Sequence, residues 1–213
     1  MRRLFTIGLL LMAFTLQAQD INSLYIAIPD SLSPLLTKVN RQDFGDFLQS
    51  GMKAQVKNRF GKTSEMLKMT KDYLEIQLTS VSKMEMKLLP VNDSTRVICV
   101  ANTYQGPVED TEIHFYTTEW QQLNPKQFIQ LPEKDDFFPL PTAPEKRDSL
   151  EQLKVYADIK FIRAKLSEKE ETLLFTLTVP EYMEEEKAKS LRAYMRKDPI
   201  VYLWDNGQFV VKK

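Results

Sequence analysis

The stretch DYLEIQLTSVSKMEMKLLPVNDSTRVICVANTY, residues 72–104, decides the fold, because its apolar residues recur at every second position. In DYLEIQLT, Leu74 points to the opposite side of a strand from Glu75. In SKMEMKLL, Met86 points to the opposite side from Glu85. Side chains alternate across a β-strand with a period of two, so both segments predict strands with one apolar face.

Two further strands are predicted in the same region. The segment RVICVANTY carries four consecutive apolar residues, 97–100, which is typical of a central strand covered on both faces. In TEIHFYTTEW, Ile113 and Phe115 alternate with His114. Turn-forming Asn-Asp-Ser and Gly-Pro sequences separate the runs, so these strands form an antiparallel meander.

The stretch IPDSLSPLLTKVNRQDFGDFLQSG, residues 28–51, lies before the strands and predicts two helices. The apolar face of the first helix is formed by Leu32, Leu35, Leu36 and Val39. Asp30 or Ser31 is expected to cap this helix, because their side chains can accept a hydrogen bond from an unpaired backbone N–H. Asn40 is expected to cap the second helix, which ends at Gly51.

The segment NPKQFIQLPEKDDFFPLPTAPEKRD, residues 124–148, holds five of the eleven prolines. Proline lacks a backbone N–H and fixes φ, so this segment is expected to be an extended connector. We expect its aromatic residues to pin it to the surface, namely Phe128, Phe137 and Phe138.

A second unit follows the connector. Alternation predicts a strand over residues 155–161, and TLLFTLTV predicts its neighbour. A helix is predicted from Pro180 to about Arg196, with acidic residues near its start and basic residues near its end. Asn206-Gly207 predicts a tight hairpin turn between two closing strands.

The predicted fold class is therefore α+β, an antiparallel meander with helices on one side and a second, smaller unit. Residues 21–123 are expected to form the first unit of helices and antiparallel sheet. Residues 124–148 form the connector. Residues 149–213 form the second unit of antiparallel strands and one helix, which ends in a β-hairpin.

The first residues, MRRLFTIGLLLMAFTLQA, have a positive start, an apolar centre and a small residue at the expected cut, so residues 1–18 predict a signal peptide. The sole cysteine, Cys99, lies far from this cut, so no lipid-carrying cysteine begins the mature chain. We therefore expect an exported protein, periplasmic or extracellular, that is not a lipoprotein. No transmembrane segment is predicted in the mature chain.

Composition weighs against several classes of function. The chain has 29 basic and 29 acidic residues, and a nucleic-acid partner normally requires a basic excess. It has six glycines and no phosphate-binding glycine motif, so no cofactor is expected. A single histidine, His114, excludes a histidine cluster for metal, and no metal site is predicted.

No catalytic residue is predicted. His114 lies beside Glu112 in the predicted strand, where a carboxylate could orient it as a base, but a half-exposed strand histidine is the simpler interpretation. Cys99 lies in an apolar run, where a thiol is inert. The leading hypothesis is a non-enzymatic binding or envelope-assembly module that contacts an envelope protein or peptide. The alternative is a periplasmic hydrolase that uses scattered carboxylates with His114.

Arg41 and Asp43 are the candidate partner-contact residues. Asp43 lies near the positive end of the second predicted helix, where a carboxylate is favourable. Arg41 falls on its polar side and is expected to be a surface or ion-pair residue.

Four stretches together resemble a domain-of-unknown-function family, number 3256, of Bacteroidales type. They are IPDSLSPLLTKVNRQDFGDF, NRFGKTSEMLKMTKDYLEIQLTSVSKMEMKLLP, ICVANTYQGPVEDTEIHFYTTEW and IVYLWDNGQF. The resemblance covers nearly the whole mature chain and implies an exported protein. It implies no activity and no catalytic residues that could be assigned to positions of this sequence.

Overall fold

A seven-stranded antiparallel sheet forms the centre of the computed structural model, which describes residues 20–139 and 143–212. The predicted signal peptide, residues 1–18, lies outside the described residues. The order of the strands in the sheet follows their order in the chain. The strands are β1 (Gln55–Lys57), β2 (Thr63–Met69), β3 (Tyr73–Thr79), β4 (Ser82–Pro90), β5 (Arg96–Gln105), β6 (Glu109–Thr117) and β7 (Gln122–Leu123).

The meander predicted from the period of two is confirmed for β3 to β6, which pair in sequence as antiparallel neighbours. Sequence reasoning missed β1 and β2, the strands that precede residue 72. In β2 the ladder shifts between Met66 and Lys68, so the alternation is interrupted there and the strand carries a weaker signal.

Two short helices cover one face of this sheet: α1 (Ile21–Ile26) and α2 (Lys38–Gln49). Leu74, Ile76 and Met86 of the sheet pack against Tyr25 and Phe44 of these helices in one hydrophobic cluster. Burial of such apolar side chains contributes about 1.5–3 kcal/mol each, so this face holds the helices to the sheet.

The first helix was predicted in the wrong place. Residues 27–37 form turns, and the helix lies before them and begins after Asp20, whose side chain accepts a hydrogen bond from the Ser23 N–H. The second helix is capped by Thr37 and not by Asn40, which completes a capping box from the third helical position. The leucine spacing that predicted a helix therefore belongs to a turn segment.

A four-stranded antiparallel sheet covers the other face of the large sheet. Its order is β11-β10-β9-β8. The strands are β8 (Ile162–Leu166), β9 (Thr172–Leu177), β10 (Ile200–Asp205) and β11 (Gln208–Val211). Leu89, Cys99 and Phe115 of the large sheet share a core with Phe175 and Trp204 of the small one. Both faces of the central strands are therefore buried.

Two helices accompany the small sheet: α3 (Pro144–Lys154) and α4 (Glu185–Arg192). The strand predicted over residues 155–161 is wrong, because the chain there leaves α3 and the next strand begins at Ile162. Ala157 is fully buried while Val155 and Ile159 are exposed, so residues two apart do not share a buried face as they would in a strand. The predicted helix from Pro180 is shorter than expected, with a 3-10 turn at Val179–Glu181 before α4.

The hairpin predicted at Asn206-Gly207 is confirmed, since both residues have positive φ and β10 pairs with β11 across them. The proline-rich segment is not extended throughout as predicted, because it has 3-10 turns at Pro125–Gln127 and Lys134–Phe137 and its last residues, from Pro144, belong to α3. Its three phenylalanines are buried. The ring of Phe128 stacks on Phe115 with centroids 4.8 Å apart.

Candidate functional site

A groove of about 640 Å³ runs along the outer edge of β11. The proline-rich segment forms its opposite wall. Its apolar lining comes from Ile129, Leu131, Ile200, Tyr202, Phe209, Val210 and Val211. Its polar lining comes from Lys126, Gln130, Asp136, Arg196 and Gln208. We call this feature the β11 groove.

The backbone of β11 offers hydrogen-bonding groups to the β11 groove. The Phe209 N–H points away from β10 and donates to the carbonyl of Phe128 at 2.7 Å. The Lys212 N–H points toward β10 and donates to Val201 at 2.8 Å. Outward and inward groups alternate along an antiparallel strand, so the N–H and C=O of Val211 point outward like those of Phe209.

The proline-rich segment pairs with this edge at one point only among the described residues. Ile129 forms a single parallel β-bridge with Phe209. Beyond that bridge the Tyr202 hydroxyl donates to the carbonyl of Gln130 at 3.0 Å, and within the described residues no backbone bond joins the segment to Val211. Burial, followed by the nearby charge of Asp136, raises the pKa of Tyr202, so its hydroxyl stays protonated as the donor.

Two cations at the β11 groove have no ion-pair partner within residues 20–139 and 143–212. These are Lys126 and Arg196, whose side chains are exposed. The one carboxylate of the lining, Asp136, accepts a hydrogen bond from the Glu133 N–H at 2.8 Å and so caps its own turn. The groove lining therefore carries two cations and one carboxylate.

The other edge of the small sheet is closed by side chains. The Ile162 N–H of β8 donates to the carboxylate of Asp110 at 2.9 Å. The Ala164 N–H donates to the Thr111 hydroxyl at 3.0 Å. The edge strands of the large sheet, β1 and β7, are three and two residues long. Short or covered edges resist pairing with another chain, and the four-residue β11 is covered at Phe209 but forms no outward backbone bond at Val211 within the described residues.

Arg41 is buried and not at the surface, but the other expected role, an ion pair, is present with Asp30. Its guanidinium donates to the carbonyls of Ile28 at 2.6 Å and Leu36 at 2.8 Å, and the residue is 1% exposed. Its carboxylate neighbour is Asp30, at 3.4 Å. Arginine has five N–H donors, which suits it to hold the carbonyls of a turn segment. The sequence signal for this role would be an arginine just inside a helix after a loop rich in turns.

Asp43 is half-buried on α2, and partner contact by Arg41 and Asp43 stays a prediction. Arg41 has a structural role, because its guanidinium donates to backbone carbonyls on both sides of the turn segment.

The structure brings His114 near Glu112 and keeps it apart from Glu85. His114 lies on the face that packs against the helices, with its Nε2 at 3.6 Å from Glu112. Glu85 lies on the opposite face, toward the small sheet, as its pairing with Ala101 shows. Cys99 is fully buried as predicted, and burial raises the pKa of its thiol, which keeps it protonated.

The sequence did not predict the polar cluster that includes Glu85, because alternation does not reveal that a second sheet covers its polar side. Glu85 is fully buried and accepts a hydrogen bond from the Tyr73 hydroxyl at 2.8 Å. Its second oxygen has no hydrogen-bond partner, and Lys83 lies 3.9 Å from it. Burial raises the pKa of Glu85.

A small polar cleft of about 320 Å³ adjoins this cluster. Its lining includes Glu75, Lys83 and Glu109. Lys83 lies 3.4 Å from Glu75, and Arg163 lies 2.8 Å from Glu109, so each carboxylate of the cleft has a cation. Glu85 itself does not line it. This is the pattern of a solvated ion-pair network.

Within the two described ranges, no group of three or more metal-ligating side chains comes together. In the same part of the chain, no helix is long and apolar enough to cross a membrane.

Comparison with known proteins gives a family and a fold. The family described as protein of unknown function (DUF3256) matches residues 13–209. A solved structure, of a domain of an uncharacterized protein from Porphyromonas gingivalis W83, is similar with a TM-score of 0.78 and 30% sequence identity. The similarity covers 90% of this chain and 96% of that one. Among curated proteins, none matches this chain.

Proposed function

The chain belongs to the family of proteins of unknown function DUF3256, and we propose that it is a non-enzymatic binding module that takes up an extended segment of another protein. The segment binds in the β11 groove by adding a strand to the small sheet. Strand addition is a common mode of peptide recognition, in which backbone hydrogen bonds supply affinity and alternate side chains supply specificity.

The hydrogen bond from the Phe209 N–H to the Phe128 carbonyl carries this proposal. It shows that the outer edge of β11 accepts a backbone neighbour at the 2.7 Å distance of a regular ladder bond. The bridge stops there, and Val211, which is 52% exposed, continues the same edge. The edge is therefore preformed and carries outward backbone groups that a partner can pair.

We favour binding over the hydrolase alternative because the described residues assemble no nucleophile with a base. His114 has Glu112 as its carboxylate neighbour and lies across the sheet from Glu85. The acids of the polar cleft are paired with cations.

Export is part of this proposal. The signal pattern of residues 1–18 supports export. The family that the sequence resembles is of Bacteroidales type and implies an exported protein, and the similar solved structure comes from Porphyromonas gingivalis. We expect the periplasm or the cell exterior as the location and an envelope protein or peptide as the partner. Intact-mass measurement of protein recovered from the envelope of its host tests export: a mass lacking about the first 18 residues supports it, and the full-length mass contradicts it.

A pair of variants at Val211 tests strand addition. Val211→Pro removes the outward N–H and places a ring on the edge, while the β10–β11 ladder bonds of its neighbours remain. Val211→Ala keeps the N–H and is the matched control. Nine-residue peptides are selected from a random displayed library against the wild-type protein, then labelled with fluorescein and titrated by fluorescence polarisation.

We expect the selected peptides to bind wild type and Val211→Ala within about threefold of each other. Val211→Pro is expected to weaken binding by about tenfold or more, because one to two backbone hydrogen bonds are lost. Circular dichroism shows whether all three proteins are folded. Equal affinity for the proline and alanine variants would overturn strand addition, and so would a selection that enriches no peptide.

A further inference from the structure

We infer that the hairpin between β1 and β2 docks this protein on a lipid bilayer that has anionic headgroups. The hairpin lies at the β1 edge of the large sheet, whereas β11 is an edge of the small sheet. The docking surface is therefore separate from the β11 groove. Its centre is KNRFGK, residues 57–62, which we call the basic turn.

Positive charge is concentrated in this hairpin. Residues 52–71 contain six lysines or arginines and one acid, Glu65, although the whole chain has 29 residues of each sign. The acid lies 3.4 Å from one of the six, Lys53. Such an excess in a chain of zero net charge creates a positive potential at one edge of the sheet. Clustered lysines and arginines of this kind are attracted to anionic lipid.

The three cations of the basic turn lie close together, because the ladder and the turn fix their backbone. Lys57 is paired with Thr63 at the end of the β1–β2 ladder. The Asn58 N–H donates to the carbonyl of Lys62 at 2.8 Å, and Arg59 follows Asn58 directly. Lys57 donates to the Thr63 hydroxyl at 3.0 Å. Within residues 20–139 and 143–212, neither lysine of the turn forms an ion pair.

One carboxylate approaches the basic turn without cancelling its charge. Asp30 lies 2.9 Å from Arg59 and 3.4 Å from the buried Arg41. A single negative charge therefore faces two guanidinium groups. Lys57 and Lys62 are exposed, so their ammonium groups are accessible to the phosphates of a lipid surface.

An aromatic ring stands at the apex of the basic turn. Phe60 is 74% exposed, more than any other large apolar residue of the described ranges. The side-chain oxygen of Asn58, a residue that is 5% exposed, accepts hydrogen bonds from the N–H groups of Phe60 and Lys62, both at 3.1 Å. Gly61 follows with a φ of +70°, which glycine adopts without strain. The ring is therefore presented by a preformed turn, which needs no ordering on docking.

An exposed ring between cations fits the boundary between lipid headgroups and acyl chains. Surfaces that bind there bury apolar side chains while lysine and arginine contact the anionic headgroups. Proteins that bind single-stranded nucleic acid use a groove in which several aromatic rings stack on successive bases. The basic turn has one ring, Phe60, at the apex of a hairpin. We therefore favour the lipid surface as its partner.

Co-sedimentation with vesicles tests this docking. The protein is isolated from the envelope in its exported form, so that wild type and variants share one N-terminus. It is mixed with vesicles of phosphatidylglycerol and phosphatidylethanolamine, and separately with vesicles of phosphatidylcholine alone. We expect binding to the anionic vesicles that weakens as salt is added, because salt screens the attraction between charges. Little binding to phosphatidylcholine is expected.

Two variants of the basic turn are compared with matched controls elsewhere. Lys62→Gln should weaken binding to the anionic vesicles roughly fivefold, and Phe60→Ser should weaken it by about the same factor. Lys189→Gln, at an exposed cation of α4, controls for net charge. Val155→Ser, at a residue 72% exposed after α3, controls for the loss of an exposed apolar side chain. Each control should change binding by less than about twofold.

Several outcomes would overturn this docking. Wild type that fails to bind anionic vesicles, or that binds phosphatidylcholine equally well, contradicts it. Equal losses in the turn variants and their controls contradict the role of the hairpin. If Lys62→Gln and Phe60→Ser weaken binding to a fluorescein-labelled single-stranded DNA but not to vesicles, the turn binds nucleic acid and the lipid surface is the wrong partner. Val211→Pro should bind vesicles like wild type, so failure of strand addition leaves this result unaffected.

Discussion

Glu75 and Glu85 lie directly opposite each other on β3 and β4, and both carboxylates approach the hydroxyl of Tyr73. Like charges in this arrangement repel, which makes it unfavourable in most sheets. Lys83 lies 3.4 Å from Glu75 but 3.9 Å from Glu85. The pair is therefore asymmetric, with Glu75 close to a cation and Glu85 buried with an unpaired oxygen.

Replacing this buried acid by its amide, Glu85→Gln, should make the protein more stable at high pH. Burial raises the pKa of Glu85 above its ordinary value of 4.5, so the folded state holds the proton more tightly than the unfolded state. Wild type therefore loses stability as pH rises above about 4.5, through the folded-state pKa. The amide cannot ionise, so the variant does not lose stability in this way. Urea unfolding at pH 4 and pH 8 measures the free energy of unfolding of both proteins.

The control is Glu170→Gln, at an exposed position in the turn between β8 and β9. We expect this variant to differ from wild type by the same small amount at both pH values. The explanation fails if Glu85→Gln gains no stability relative to wild type between pH 4 and pH 8.

Removing the hydroxyl next to this acid, in Tyr73→Phe, should destabilise the protein by about 1–3 kcal/mol, because a buried carboxyl then loses its hydrogen-bond donor. Thermal unfolding at pH 7 measures the loss. Tyr104→Phe, on an exposed face of β5, is the matched control and should change the free energy of unfolding by less than about 0.5 kcal/mol. Equal effects of the two substitutions would contradict a structural role for the buried bond.

The strands were predictable where burial alternates along a single chain segment, as at Leu74 and Ile76. The interior position of Glu85 was not predictable, because it depends on a sheet formed about eighty residues later. The position of the first helix was predicted wrongly for a similar reason, because Leu36 is buried through its contact with distant residues and not through a helix face. Only one side of the β11 groove could be predicted from the sequence. Asn206-Gly207 predicts the hairpin that contains β11, but no local pattern predicts that the proline-rich segment lies beside it.

Arg41→Lys should destabilise the protein by about 2–4 kcal/mol. The guanidinium of Arg41 reaches the carbonyls of Ile28 and Leu36 on both sides of the turn segment, while a lysine ammonium is a single point that cannot hold both. Denaturant unfolding followed by tryptophan fluorescence measures the loss. Arg59→Lys changes an exposed partner of the same Asp30 and should cost less than about 1 kcal/mol. If both variants lose equal stability, the buried carbonyl bonds of Arg41 contribute nothing beyond the ion pair.

Gly207→Ala should destabilise the hairpin that carries the β11 groove, by about 1–2 kcal/mol. Gly207 has a φ of +80°, and an added Cβ would lie 3.2 Å from a methyl carbon of Val91. Strain at this turn displaces the start of β11, so peptide affinity should fall together with the melting temperature. Gly106→Ala is the matched control, because φ there is not positive and its nearest neighbour beyond the adjacent residues lies 3.9 Å away. A Gly207→Ala protein that melts and binds like Gly106→Ala would show that this turn does not set the position of the strand edge.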